Sequence, residues 1–182
     1  MNIDPNGMEI RLARNDPNLI KKYQEAKAYL MKSGTMRKAF ATVESSPKVT
    51  WVYVSPGKDD QSTGGKVAWD PTRGLALKTD DDKKTTGEVQ SPALQLGHEM
   101  GHRAEELTNP NGYEKNTETP AGKYDTKEEQ RNGQQVETPA AKELGEPTRA
   151  NHKGDMVPAD NTTTKIKRPD PKPEPKNRQN DE

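Results

Sequence analysis

Two histidines and a glutamate occupy a spacing that suits metal chemistry. His98, Glu99 and His102 form a His-Glu-x-x-His motif. On a helix, residues four apart lie about 40° apart around the axis, so both imidazoles can face one ion. Neutral imidazole nitrogens are good zinc ligands, and Glu99 is placed to take a proton from water during attack on a carbonyl group. The spacing therefore predicts a Zn²⁺ site with Glu99 as its general base.

The third ligand of such a site must be another histidine or a carboxylate, because the chain has three histidines and no cysteine. We expect it to be Glu146, which follows a short predicted helix. Glu128, Glu129 and His152 are the alternatives. A catalytic zinc site has three protein ligands and an open position, whereas a purely structural site would add a fourth protein ligand and have no use for Glu99.

The motif lies in a segment with clear helix signals. Ser91 and Pro92 form an N-cap followed by proline at the first helical position. Apolar residues then recur along one side as far as Leu107: Ala93, Leu94, Leu96 and Met100. The polar run at 109–112 ends the helix. Gly97 and Gly101 flank the ligands and each cost about 1 kcal/mol relative to alanine, so we expect another element to pack closely there.

The other elements predict an α+β fold. Helical patterns cover 17–30, 35–44 and 140–145, and strand patterns cover 49–54, 66–69 and 74–78. We expect one small sheet, packed against the motif helix and the two N-terminal helices. The polar segments 79–87 and 108–135 are predicted to be loops.

Composition divides the chain and excludes several partners. Hydrophobic residues make up only 27% of it, and they are sparse after residue 152, where prolines and charges alternate. We expect one domain at 1–152 and a disordered tail at 153–182. The net charge is zero, with 29 basic and 29 acidic residues, which argues against a nucleic-acid partner. No apolar run is long enough to span a membrane, and the N-terminal segment lacks the apolar core of a secretory signal.

Two sequence blocks resemble a known family. The run SPALQLGHEMGH, followed by ETPAAKELGEPTRANHKG, is similar to the metallopeptidase toxin domains of bacterial secretion systems, at the C-termini of VgrG-type spike proteins and Rhs-type toxins. The likeness extends from about residue 67 to 154. The family's Gly-Glu-x-x-Arg-x-x-His element corresponds to Gly145, Glu146, Arg149 and His152. The resemblance implies a zincin-like fold and a zinc metalloendopeptidase with His98, His102 and Glu146 as zinc ligands.

The resemblance also assigns supporting roles. Arg149 and His152 would lie close to the site, stabilising an oxyanion or orienting Glu146. Tyr113 and Tyr124 are candidate oxyanion donors by the same logic. The family pattern often has alanine after the second histidine, whereas this chain has Arg103, which would put a charge beside the site.

The biological role implied by the resemblance is a secreted toxin or effector that hydrolyses peptide bonds in a target-cell protein. It would be a monomer, cytoplasmic in the producing cell and then exported without a signal peptide into the periplasm or the host cytosol. A delivery module of the secretion system and a cognate immunity protein would be its partners. Two other functions stay open: a zinc-stabilised protein-interaction domain without catalysis, and a metal-dependent amidase acting on a non-protein substrate.

Overall fold

The computed structural model describes residues 10–57 and 60–167, which form helices and two small sheets. The α-helices are α1 (Pro17–Leu30), α2 (Gly34–Glu44), α3 (Pro92–Thr108), α4 (Pro110–Thr117), α5 (Lys127–Asn132) and α6 (Thr138–Leu144). The strands are β1 (Ile10–Leu12), β2 (Thr50–Val54), β3 (Gln61–Thr63), β4 (Lys66–Trp69), β5 (Arg73–Lys78), β6 (Thr85–Gln90), β7 (Gly154–Pro158) and β8 (Ile166–Lys167). The fold is mixed α/β and compatible with the predicted α+β class.

The first sheet carries one face of the main core. Its order is β1-β2-β4-β3, with β1, β2 and β4 parallel and β3 antiparallel at one edge. Side chains alternate along β2, so Val52 and Val54 are buried while Trp51 and Tyr53 are partly exposed. The buried side chains belong to the core cluster that includes residues of α1, α2 and α3.

The helix with the His-Glu-x-x-His motif, α3, is anchored at its start. The Ser91 hydroxyl accepts a hydrogen bond from the Leu94 backbone N–H at 3.1 Å, as the N-cap prediction requires. Trp69 of β4 donates its indole N–H to the carbonyl of Pro92 at 2.7 Å. Nearly all of α3 from Pro92 to Arg103 is buried, so its direction is set by the first sheet and the N-terminal helices.

The second sheet corrects three sequence-based expectations. The strands form two sheets rather than one, and the second has the antiparallel order β7-β5-β6-β8. The predicted loop 79–87 gives way to β6 at Thr85. The part of the predicted tail at 154–167 is ordered, because β7 and β8 pair with β5 and β6 through backbone hydrogen bonds that need no apolar side chains. The rest of the expected tail, 168–182, lies outside the described residues.

The expected loop at 108–135 is also wrong. It contains α4, a short 3₁₀ turn at Gly122–Tyr124 and α5, which continues through a π-helical segment, Gly133–Glu137, into α6. Local caps start two of these helices: Asn109 accepts from the Gly112 N–H, and Thr126 accepts from the Glu129 N–H. These helices contact α3, and this packing stabilises a polar sequence that lacks apolar periodicity. Of the helices in 10–57 and 60–167, none is both long and apolar enough to cross a bilayer.

Candidate metal centre

The two motif histidines converge with a glutamate from another helix. The Nε2 atoms of His98 and His102 lie 3.0 Å apart, and Glu129 Oε2 of α5 lies 3.2 Å from each of them. Tetrahedral zinc has bonds of about 2.0–2.1 Å, which places its donor atoms about 3.3 Å from one another. This triangle of two nitrogens and one oxygen therefore has nearly the size that a zinc ion requires.

Each motif histidine is oriented by a buried carboxylate. His98 Nδ1 lies 2.7 Å from Glu137 Oε2, and His102 Nδ1 lies 2.9 Å from Glu128 Oε1. Both glutamates are only 1% exposed. A carboxylate next to Nδ1 keeps the imidazole proton on Nδ1 and leaves the lone pair of Nε2 available to a metal. This is the usual arrangement around a metal-binding histidine. Both imidazoles therefore have the carboxylate partner that a metal-binding histidine usually has.

The third histidine, His152, also has a carboxylate at each of its ring nitrogens. His152 Nε2 lies 3.0 Å from Glu129 Oε2, and its Nδ1 lies 2.9 Å from Asp125 Oδ2. The His98, Glu129 and His152 donor atoms lie within 4.8 Å of one another. The His98–His102–Glu129 triangle is tighter, and His152 lies next to it through its contact with Glu129.

The electrostatics of the site depend on these contacts. Burial lowers the pKa of His102, but hydrogen bonds with Glu128 and Glu129 outweigh it and raise the pKa to about 10. Burial raises the pKa of Glu129, but hydrogen bonds with all three histidines bring it far below its ordinary value. A cation seated among these groups would take over the role of the histidine protons.

Glu99 lies beside the triangle without belonging to it. The side chain is 6% exposed, and burial raises its pKa despite the opposing influence of the two histidines. It lines a cavity of about 180 Å³ together with His98, His102 and Glu129. A carboxylate with a raised pKa next to a cavity has the properties of a general base.

The flanking glycines are positions of close approach, as the sequence predicted. A Cβ on Gly97 would lie 2.7 Å from Met36 Sδ of α2. A Cβ on Gly101 would lie 2.2 Å from Asn132 Oδ1 and 2.9 Å from Val136 Cγ1. The absence of a side chain at Gly101 therefore lets the α5 and π-helical segment approach α3 and bring its three glutamates to the histidines.

The structure does not bring Glu146 to the histidines, and this corrects the predicted ligand set. Its carboxylate accepts hydrogen bonds from the Ser91 N–H at 2.7 Å, the Ser91 hydroxyl at 2.6 Å and the Tyr29 hydroxyl at 2.9 Å. That position is the N-terminus of α3, almost two helical turns before His98. A carboxylate there satisfies unpaired N–H groups and complements the helix dipole, so its role is structural.

Of the two arginines that the sequence placed near the site, the structure brings only one to the histidines. Arg149 is at the site: its Nη2 lies 2.8 Å from His98 Nδ1, and it forms an ion pair with Glu137. Arg149 therefore orients Glu137 rather than Glu146. Arg103 does not put a charge beside the site, since it donates to Thr50 of β2.

The two tyrosines also differ. Tyr113 lines the cavity, with its ring centroid 6.4 Å from that of His102 and its hydroxyl 3.4 Å from the Ser62 carbonyl. Its pKa is raised, first by burial and then by nearby carboxylates, so the hydroxyl stays a donor. Tyr124 is not among the residues that line the cavity and packs against Gly133.

Sequence reasoning missed Glu137 and Asp125 entirely, and it considered Glu128 only as a ligand. The adjacent acids at 128 and 129 were a usable signal, because consecutive helical residues project about 100° apart and can serve a metal and its histidine ligand separately. Glu137 and Asp125 carry no comparable signal.

The donor set of imidazole nitrogens and a carboxylate oxygen fits zinc. The orienting carboxylates strengthen that fit, since they reproduce the outer shell of a metal-bound histidine. No protein-family model, curated protein or solved structure matches this chain. The functional assignment therefore rests on the geometry of the site and on the sequence motif.

Proposed function

We propose that this chain is a zinc-dependent metallopeptidase of a zincin-like fold, with His98, His102 and Glu129 as zinc ligands. The observation that carries the proposal is the convergence of these three donors at 3.0–3.2 Å, with a carboxylate on the Nδ1 of both histidines. Helix α3, lying beside a small mixed sheet with β3 at its edge, supports the zincin-like assignment.

The chain's own residues would divide the work of peptide hydrolysis. A bound zinc ion supplies Lewis acidity at the scissile carbonyl group. Glu99 accepts the proton of the attacking water and passes it to the leaving amine. His152, held by Asp125 at 2.9 Å, and Tyr113 are positioned to donate hydrogen bonds to the developing oxyanion. Glu128 and Glu137 keep the histidine ligands in place.

A second function is favoured by one specific observation. His152 Nε2 lies 3.0 Å from Glu129 Oε2 and can supply a fourth protein donor. Four protein ligands would close the coordination sphere, as in structural zinc sites. The chain would then be a zinc-stabilised interaction domain without catalysis, and Glu99 would have no chemical role.

Zinc content and peptidase activity together separate these functions. The full chain, purified without added metal and then loaded with zinc, is compared with Glu129→Ala, Glu99→Gln and the control Glu114→Ala, whose side chain is exposed on α4. A peptidase predicts one zinc in wild type, Glu99→Gln and the control, no zinc in Glu129→Ala, and loss of activity in Glu99→Gln. If the wild type binds no zinc after reconstitution, both functions are wrong.

His152→Ala distinguishes the open site from the closed one. In the peptidase it retains zinc with near wild-type affinity and loses activity. In a closed structural site it weakens zinc binding strongly, and Glu99→Gln then has no measurable consequence. Measuring the zinc affinity of His152→Ala is enough to distinguish the two sites, so the comparison does not depend on knowing the natural substrate.

We propose the toxin or effector role on the sequence resemblance alone. In that role the chain is delivered by a secretion system and acts on a protein of the target cell, and a cognate immunity protein blocks the cavity. Expression of the wild type in the periplasm or the cytosol of a test cell, against Glu99→Gln, measures this directly. Equal growth with both versions in both compartments would contradict it.

A further inference from the structure

One wall of the cavity beside the histidines has unsatisfied polar atoms. Asp60 and Ser62 line that cavity. Asp60 Oδ2 and Ser62 Oγ are buried and have no hydrogen-bond partner in the part of the chain that the structure describes. Buried polar atoms are almost always paired, so each exception needs a reason. Two such atoms on one wall indicate a place for a polar group of a ligand.

The wall is built to keep the Asp60 carboxyl in place. Its Oδ1 accepts a hydrogen bond from the Asp70 N–H at 2.6 Å, at the end of β4. Asp70 is itself fixed by donors from Gly57, Thr72 and Arg73 at 2.6–2.8 Å. The Asp60 side chain is therefore held through one oxygen, while the other is left without a partner.

The charged side chains that line the cavity indicate which kind of ligand group can bind there. Its described lining contains neither lysine nor arginine. It contains three histidines, His98, His102 and His152, and four carboxylates, Asp60, Glu99, Glu128 and Glu129. Glu128 is paired with Arg131 at 2.6 Å, and Glu129 contacts the histidines. Burial, together with Glu99, raises the pKa of Asp60 to about 8, and a cation in contact with it would lower that pKa again. A purely apolar ligand would leave Asp60 Oδ2 and Ser62 Oγ without partners.

We propose that Asp60 and Ser62 form a subsite for an ammonium group of the substrate, next to the reacting centre. The ammonium has three donors and no acceptor, so it can serve Asp60 Oδ2 and Ser62 Oγ at once. The cavity of about 180 Å³ is smaller than pockets of roughly 300 Å³ and more that hold whole small molecules. It therefore takes a single side chain or a chain terminus, which means a lysine side chain or a free peptide amino terminus.

Direct binding tests the subsite without relying on catalysis. The full chain, with and without zinc, is titrated by NMR with Nα-acetyl-lysine amide, norleucine amide and the neutral Nα-acetyl-norleucine amide. We expect one of the two ammonium probes to bind about tenfold or more tightly than the neutral probe, since hydrogen bonds to charged groups are the stronger ones. The probe that wins identifies the lysine side chain or the amino terminus as the source.

Two variants locate the effect. Asp60→Asn retains the Oδ1 acceptor for Asp70 and should lose the preference for ammonium, while Ser62→Ala should reduce it. Asp160→Asn makes the same substitution at an exposed position outside the cavity and should retain the preference. Equal binding of charged and neutral probes to the wild type, or an unchanged preference in Asp60→Asn, would overturn the proposal.

The identity of the substrate as a peptide rests on the proposed function, so cleavage is measured separately. The zinc-loaded wild type and Asp60→Asn are incubated with a peptide mixture that contains acetylated and free amino termini, and products are identified by mass spectrometry. Both proposals are supported if the wild type cleaves preferentially at lysine or at free amino termini and Asp60→Asn shows a weaker preference. Cleavage without charge preference overturns the subsite alone. Ammonium binding without any cleavage supports the subsite and contradicts the peptidase.

Discussion

Glu146 and Glu129 should separate stability from zinc binding when each is replaced by alanine. The Glu146 carboxylate is 6% exposed and accepts three hydrogen bonds at the start of α3. Hydrogen bonds to a charged group contribute about 1.5–3 kcal/mol each, and a buried donor left unpaired costs about 1–3 kcal/mol. Because such contributions are not additive, we expect Glu146→Ala to lower the free energy of unfolding by about 3–5 kcal/mol.

That change is large compared with the total stability of a domain, which is about 5–15 kcal/mol. For a chain of this size it corresponds to a fall in Tm of roughly 6–20 °C. Thermal unfolding is measured in chelator, so that loss of zinc cannot imitate loss of the buried contacts. Zinc content is then measured on the folded protein at low temperature. Glu146→Ala should unfold early and still bind one zinc ion.

Glu129→Ala provides the matched comparison. In chelator its stability should also fall, because Glu129 accepts hydrogen bonds from all three histidines. Its zinc content should fall to near zero. The reasoning is refuted if Glu146→Ala has wild-type stability and no zinc, or if Glu129→Ala binds zinc as well as wild type.

Gly101→Ala should destabilise the fold and weaken zinc binding, because its Cβ would lie 2.2 Å from Asn132 Oδ1. Chemical unfolding and zinc titration measure these two effects, and an unchanged zinc affinity would contradict the close approach of α5 to α3. Glu137→Gln should weaken zinc binding by about 10–100-fold, as outer-shell substitutions do, measured by competition with a chelator; full wild-type affinity would exclude an orienting role. In the metal-free chain the pKa of His102 is raised to about 10, so its contribution to stability is complete below the unfolded value of about 6.5 and is lost as the pH rises towards 10. Urea unfolding in chelator between pH 6 and 10 measures this, and His102→Gln should remove that part of the pH dependence.

The sequence alone determined the parts of the molecule that depend on local chemistry. Ser91 and Pro92 start the helix α3, and the four-residue spacing puts His98 and His102 on one side of it. The two flanking glycines correctly indicated close packing. The main strands and the N-terminal helices follow from apolar periodicity, because burial against a core imposes a repeat on the residues that line it.

Tertiary structure decided which acid joins the histidines. Glu129 lies in the short helix α5 and Glu146 follows the short helix α6. Nothing local distinguishes a carboxylate that contacts the histidines from one that caps a helix. The segment 108–137 folds because it packs on α3 beside Gly101, so its polar sequence carries no periodic signal of its own. The same holds for β7 and β8, which are held by backbone pairing. Contacts between elements distant in sequence set these features, and a single sequence records its local preferences far more directly than its long-range contacts.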